Sequence, residues 1–163
     1  MNEDEILEQE TITGIAYSPD EAKITLRGVK DRPGVAGSIF GSLADTAINV
    51  DMIVQNVSEN GETTDLTFTI KAEDVKKTEK LIRQNKKISF RRLNYDNNVS
   101  KVSIVGVGMI TTPGITYRMF QALAVKKINI MVISTSEIKI SVLISNKLVK
   151  KAIAALHKEF KLD

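Results

Sequence analysis

The apolar positions of this chain fall into two runs of one pattern. Residues 23–29 and 101–107 alternate or stay apolar over a strand length, and both end near glycine, which predicts a strand in each place. A turn follows each, at Pro33-Gly34 and Pro113-Gly114. Asp31 or Thr112 is placed to cap a helix starting around the proline, where the missing N–H costs nothing. Val35, Ile39, Phe40 and Leu43 then recur at helical spacing, as do Ile115, Met119, Phe120 and Leu123. Residues 49–54 and 129–133 are β-rich second strands, and 65–70 and 138–144 predict third strands. The first hairpin carries the turn Glu59-Asn60-Gly61-Glu62. Second helices are expected over residues 72–85 and 146–160.

The two runs are copies. Pro33-Gly34-Val35, Phe40, Leu43-Ala44 and Ile48-Asn49-Val50 return 80 residues later as Pro113-Gly114-Ile115, Phe120, Leu123-Ala124 and Ile128-Asn129-Ile130. The first strand is matched at the same offset, Ile24 against Ile104 and Gly28 against Gly108. Past the second strand the offset falls to 74, where Val75 and Lys76-Lys77 meet Val149 and Lys150-Lys151. One supersecondary unit has been duplicated. Copy one continues into a fourth strand at 89–94, whereas copy two stops after its last helix. A β-rich run at 11–17 has no partner in copy one and is expected to complete the sheet of copy two. The expected protein is therefore α+β, with two four-stranded βαββαβ sheets and helices on one face of each. Its parts are an acidic linker at 1–10, a strand of domain 2 at 11–18, domain 1 at 22–95 and domain 2 at 99–163.

Composition narrows the chemistry. A chain of 163 residues suits one or two small domains. Without cysteine it has neither a disulfide framework nor a thiolate metal site. No apolar run approaches the roughly 18 residues that span a membrane, and the acidic N-terminus lacks a signal-peptide pattern. A cytoplasmic home is expected. The net charge of +3 points to no polyanionic partner. Lys76-Lys77, Lys86-Lys87 and Arg91-Arg92 read as solvated faces or element ends.

Enzymatic chemistry is missing from the pattern. His157 is the one histidine, within the last helix, and reads as a surface or packing residue. One histidine without cysteine makes a poor transition-metal site. No nucleophile elbow or phosphate loop occurs, and Gly106-Val107-Gly108 lacks the third glycine of a dinucleotide fingerprint.

The repeats offer instead an anion-binding corner, made twice. A helix start after Pro-Gly presents backbone N–H groups and the positive end of its dipole, and glycine lets a ligand approach closely. A carboxylate of about amino-acid size fits there. Asp31 could hold an ammonium group, and Asn49 and Asn129 could add an amide. Pro-Gly at such a turn is ordinarily turn chemistry alone; its recurrence in both copies adds some weight to a ligand.

Residues 49–58 (Asn-Val-Asp-Met-Ile-Val-Gln-Asn-Val-Ser), Thr63-Thr64-Asp65-Leu66-Thr67-Phe68 and above all Ile133-Ser134-Thr135-Ser136-Glu137-Ile138 resemble the regulatory region of aspartokinase. Thr13-Gly14-Ile15-Ala16, Ala155-Leu156-His157 and Phe160 extend the resemblance over nearly the whole chain. It implies two ferredoxin-like ACT domains in tandem, with the N-terminal strand joining the second. Aspartokinase transfers phosphate from ATP to the side-chain carboxylate of aspartate, and its ACT pair binds lysine, threonine or both as feedback inhibitors. The resemblance carries a first effector site to Asp31, Gly34, Val35, Ala36 and Gln55, with Asn129 and Ile130 of the second repeat. A second site falls on Asn49, Val50, Asp51 and Ser58 with Ile115, Thr116, Ser136 and Glu137. No cofactor is implied here, since ATP and Mg belong to the kinase domain. No ATP-binding segment occurs in these residues, so a fragment of a longer chain and a separate regulatory subunit both remain open. The implied partners are amino-acid effectors, the kinase domain or subunit, and a second copy paired through ACT domains; neither nucleic acid nor membrane is expected. A free-standing amino-acid sensor is the alternative. An RNA-binding pair of ferredoxin-like domains is disfavoured, because Phe68 and Phe90 are isolated aromatics without the stacking signature.

Overall fold

The structure is a computed structural model that describes residues 12–107 and 114–162. The linker at 1–10, Thr11, Gly108, Thr112 and Pro113 lie outside the described residues. The elements are β1 (Ile12–Lys30), α1 (Val35–Asp45), β2 (Ile53–Val57), β3 (Thr63–Lys71), α2 (Val75–Gln84), β4 (Arg92–Gly106), α3 (Ile115–Val125), β5 (Val132–Thr135), β6 (Lys139–Ser145) and α4 (Val149–Glu159). Single 3₁₀ turns, Ala72–Asp74 and Asn146–Leu148, lead into α2 and α4.

Two compact units divide these elements. The unit Asp20–Asn97 has strand order β2-β3-β1-β4, using β1 from residue 20 and β4 up to residue 97. The other unit combines residues up to Pro19 with those from Asn98, and its order is β1-β4-β6-β5. Each is a βαββαβ sheet with two helices, and in the second the N-terminal strand supplies the fourth position. Thr13 Oγ1 donates to the Val105 carbonyl at 3.2 Å there, and Ser100 Oγ to that of Pro19 at 3.2 Å.

The helix periodicities become cores. Val35, Ile39 and Leu43 of α1 and Val75 and Ile82 of α2 pack on Ile24, Leu26, Leu66, Phe68 and Ile70. Phe40 meets Phe68 edge to face, centroids 5.3 Å apart, so Phe68 is a core ring with no face left for a base. The second unit repeats this with Ile115, Met119, Leu123, Ala152 and Leu156 over Val102, Ile104, Ile140, Val142 and Ile144. On the other sheet face Ser103 and Ser141 share a buried hydrogen bond of 2.6 Å.

Four expectations change. The strands foreseen at 11–17 and 23–29 are one strand, β1, and the 89–94 and 101–107 strands are joined as β4. Extended backbone runs through Pro19, which lacks an N–H for the ladder while its carbonyl accepts from Ser100 Oγ.

Second, the common offset of 80 fails in the first strand. Ile24 pairs with Phe68 and Leu26 with Leu66, while Val102 pairs with Val142 and Ile104 with Ile140. The β3 and β6 residues lie 74 apart, but their partners lie 78 apart, so Ile24 answers to Val102. A register shift of one residue lies between Leu26 and Val29. Gly28 takes φ +65° in that bulge, a left-handed conformation that suits glycine. Asp65 holds it, accepting the Gly28 N–H at 2.9 Å and Arg27 Nη1 at 3.2 Å.

Third, β2 begins at Ile53 rather than at Asn49. The Asp51 N–H donates to the Thr69 carbonyl and the Thr69 N–H to that of Met52, both at 3.0 Å. The Met52 N–H turns to Thr69 Oγ1 at 3.0 Å. Two residues oppose one, which breaks the regular ladder. Fourth, α1 begins at Val35, behind Gly34, and Asp31 does not cap it.

Candidate functional site

Both helix starts are built identically from glycine. Gly34 has φ 91° and ψ −6°, and Gly114 has φ 90° and ψ −10°. This left-handed residue turns the chain from strand to helix without a side-chain cap. Its carbonyl starts the helical ladder, accepting Ser38 N–H at 3.0 Å in one copy and Arg118 N–H at 2.9 Å in the other. The Val35 N–H goes to the Arg32 carbonyl at 3.2 Å. An α-helix leaves its first amides without intrahelical acceptors, so those of Ala36 and Gly37 are the ones a carboxylate could use. The dipole adds a favourable field for an anion at the same point.

Around the first corner, Gly34, Ala36 and Gln55 are exposed, as is Asp31. Asp31 is fixed through its backbone, whose N–H donates to the Glu62 carbonyl at 3.0 Å. That ties the corner to the β2–β3 turn, where Asn60 Oδ1 accepts Ser58 Oγ at 2.6 Å and the Glu62 N–H at 2.9 Å. Glu62 and Asn60 were absent from the sequence-based set; the Asn-Gly of that turn was their signal. Arg32 is drawn to the other side, with Nη2 donating to the Lys87 carbonyl at 2.6 Å. Gln55 sits on β2 opposite Leu66.

Val35 and Ile115 are buried core residues. They can offer a ligand only backbone, because their side chains pack under the helices. Asn49 and Asp51 are exposed, with half-buried Val50 between them, just before β2. Asn129 is exposed and Ile130 half-buried at the matching place before β5. The Ser58 hydroxyl serves its own turn, while Ser136 donates its N–H to the Lys139 carbonyl at 2.7 Å. Thr116 and Glu137 are exposed. Asp31, Gly34, Val35, Ala36, Asn49, Val50, Asp51, Gln55 and Ser58 thus belong to the unit Asp20–Asn97. Ile115, Thr116, Asn129, Ile130, Ser136 and Glu137 belong to the other.

No three His, Asp or Glu side chains gather into a metal-binding group among the described residues. His157 is half-buried in α4 with Nδ1 against the Leu162 carbonyl at 2.5 Å, a packing role at the helix end. No helix of the described residues is long and apolar enough to cross a membrane.

Comparison with known proteins agrees with this geometry. The family model of the ACT domain matches residues 22–85 and 102–160. The chain is 49% identical to an aspartate kinase of Pseudomonas fluorescens over its whole length, and it spans 40% of that relative. A chain in a crystal structure of aspartokinase alpha and beta subunits superposes with TM-score 0.83 at 44% identity, covering 93% of this chain and 99% of that one. The ligand-free regulatory subunit of aspartate kinase from Thermus thermophilus gives TM-score 0.85 at 36% identity, covering 92% and 99%. Two ACT repeats, a glycine corner in each, and a match spanning entire regulatory chains lead to one assignment: the chain belongs to the ACT-domain family, as the regulatory region of the aspartokinases.

Proposed function

We propose that this chain binds lysine, threonine or both, and transmits their binding as feedback inhibition to an aspartokinase catalytic domain or subunit. The reaction controlled is phosphoryl transfer from ATP to aspartate, giving 4-phospho-aspartate, in the cytoplasm. The duplicated glycine corner carries the reading. It offers amides and a helix dipole to an effector carboxylate, with Asp31 at hand for an ammonium group, and it needs no catalytic side chain.

A second copy of the chain completes the proposal. β2 and β5 are edge strands, with Ile53 53% and Ile133 45% exposed. Edges bearing apolar side chains favour strand-to-strand pairing, and a homodimer through ACT domains would cover them. Effectors held at that surface favour one dimer arrangement, which draws the kinase part from its active geometry. A coupling of about 1–3 kcal/mol suffices for useful inhibition.

Isothermal calorimetry of the purified chain with lysine and threonine, separately and together, tests this. Saturable heat for either names the effector. Thermal melts of Asp31→Ala and Gln55→Ala locate the first site. An effector-induced melting shift that survives both substitutions unchanged rules that site out.

A further inference from the structure

The turn between β2 and β3 holds a pair of residues found once in the chain. Asn60 precedes Gly61, and none of the other asparagines precedes a glycine. Both residues are exposed, as are Glu59 and Glu62 beside them. Gly61 takes φ +70°, a left-handed conformation that suits glycine. With no Cβ, it leaves its amide nitrogen open to close approach.

The Asn60 side chain is turned back onto its own backbone. Its Oδ1 accepts the Glu62 N–H at 2.9 Å and the Ser58 hydroxyl at 2.6 Å. A side-chain oxygen bonded to the amide two residues on closes an Asx turn, which brings Asn60 Cγ to the side of the intervening Gly61 nitrogen. The two donors also face the atom on which negative charge develops when Cγ is attacked, as oxyanion-hole donors do. Nδ2 points away from them, 3.5 Å from Glu62 Oε2. One contact opposes attack, because the Gly61 N–H donates to the Ser58 carbonyl at 3.0 Å. That bond lies at an exposed loop tip, where local opening costs little, so it paces the reaction without preventing it.

We propose that Asn60 is a site of spontaneous deamidation, and that its isoaspartate product unties the β2–β3 turn from Asp31. Hydroxide takes the Gly61 amide proton and becomes water. The nitrogen attacks Asn60 Cγ; the N–Cγ bond forms, the Cγ–Nδ2 bond breaks, and Nδ2 takes a proton from water and leaves as ammonia. A second water opens the cyclic imide. Cleavage of N–Cγ gives aspartate, and cleavage of the backbone C–N bond gives isoaspartate, with the chain now running through Cγ. Nothing is oxidised or reduced. The products differ in consequence. Aspartate keeps an acceptor for the Ser58 hydroxyl and the Glu62 N–H. Isoaspartate adds a methylene to the backbone and carries its carboxylate away from both donors. Glu62 then shifts, and its carbonyl is the acceptor of the Asp31 N–H at 3.0 Å.

The full chain, held folded in mildly alkaline buffer, is sampled over time and mapped by mass spectrometry with fragmentation that separates aspartate from isoaspartate. The expected result is the mass gain of an amide-to-acid exchange at Asn60, several-fold ahead of every other asparagine and faster as pH rises. Gly61→Ala, which sets a methyl beside the attacking nitrogen, should slow it several-fold. The isoaspartate fraction, separated by ion exchange, is then compared with fresh protein by amide hydrogen exchange. The Asp31 amide should exchange several-fold faster there and the Leu26 amide at its former rate, while Asn60→Asp keeps Asp31 protected as in the parent. An Asn60 that gains no mass, or none ahead of the other asparagines, overturns the site. Unchanged exchange at Asp31 in the isoaspartate fraction overturns the untying. Equal loss of protection in Asn60→Asp assigns the effect to charge and overturns the role given to isoaspartate.

Discussion

Four glycines, two at the starts of α1 and α3 and two inside α1, make one chemical change act with opposite signs. Gly34 and Gly114 sit at φ 91° and 90°, and a Cβ at either position meets nothing within 4 Å. Alanine there loses only through its backbone, by about 1–2 kcal/mol for an L-residue in left-handed geometry. The smaller entropy of the unfolded alanine chain returns about 0.4–1 kcal/mol. The net expectation is about 1 kcal/mol of destabilisation at each position. Gly37 and Gly41 lie inside α1, are exposed, and also have open space at Cβ. Alanine there gains about 0.5–1 kcal/mol, because glycine is a poor residue in a helix interior. Urea unfolding of the four single variants reads the difference. With a slope of about 2 kcal/mol/M, 1 kcal/mol moves the midpoint by about 0.5 M. Gly34→Ala and Gly114→Ala should fall below the parent, and Gly37→Ala and Gly41→Ala rise above it. If Gly34→Ala stabilises like Gly41→Ala, the left-handed corner is wrong, and the amide site built on it goes too.

Thr78 is fully buried in α2 and its hydroxyl has no hydrogen-bond partner among the described residues. Thr78→Val should leave thermal stability unchanged or raise it by about 1 kcal/mol, and a loss larger than that in calorimetry would show an unseen partner. Ser103→Ala and Ser141→Ala each strand a buried hydroxyl and should cost about 1–2 kcal/mol. The double variant should cost less than their sum, so a double-mutant cycle showing simple additivity would contradict the 2.6 Å bond. Asp65→Ala frees the Gly28 N–H and should cost about 1 kcal/mol; the exposed Arg27 pairing adds little to that. Chemical denaturation that shows no change would remove Asp65 as the support of the bulge.

The sequence alone determined what depends on near neighbours. Val35, Ile39 and Leu43 lie on one side of a 3.6-residue period whatever surrounds them, so the helices and their buried faces were legible. The duplication was legible because it is itself a sequence property. Gly34 and Gly114 stood out as turn residues, although the helix start was expected at the proline and a cap at Asp31.

Only the tertiary structure decided pairings between distant residues. Whether Ile24 answers to Ile104 or to Val102 depends on which β3 and β6 residues face them. The start of β2 rests on a side chain 17 residues away, Thr69, taking the Met52 amide. Candidate residues sorted in the same way. Val35 and Ile115 turned inward because the core needed them, and Ser58 was spent on its own turn. Local periodicity fixes which face of an element is apolar; hydrogen bonds and packing between elements far apart in sequence fix what that face meets.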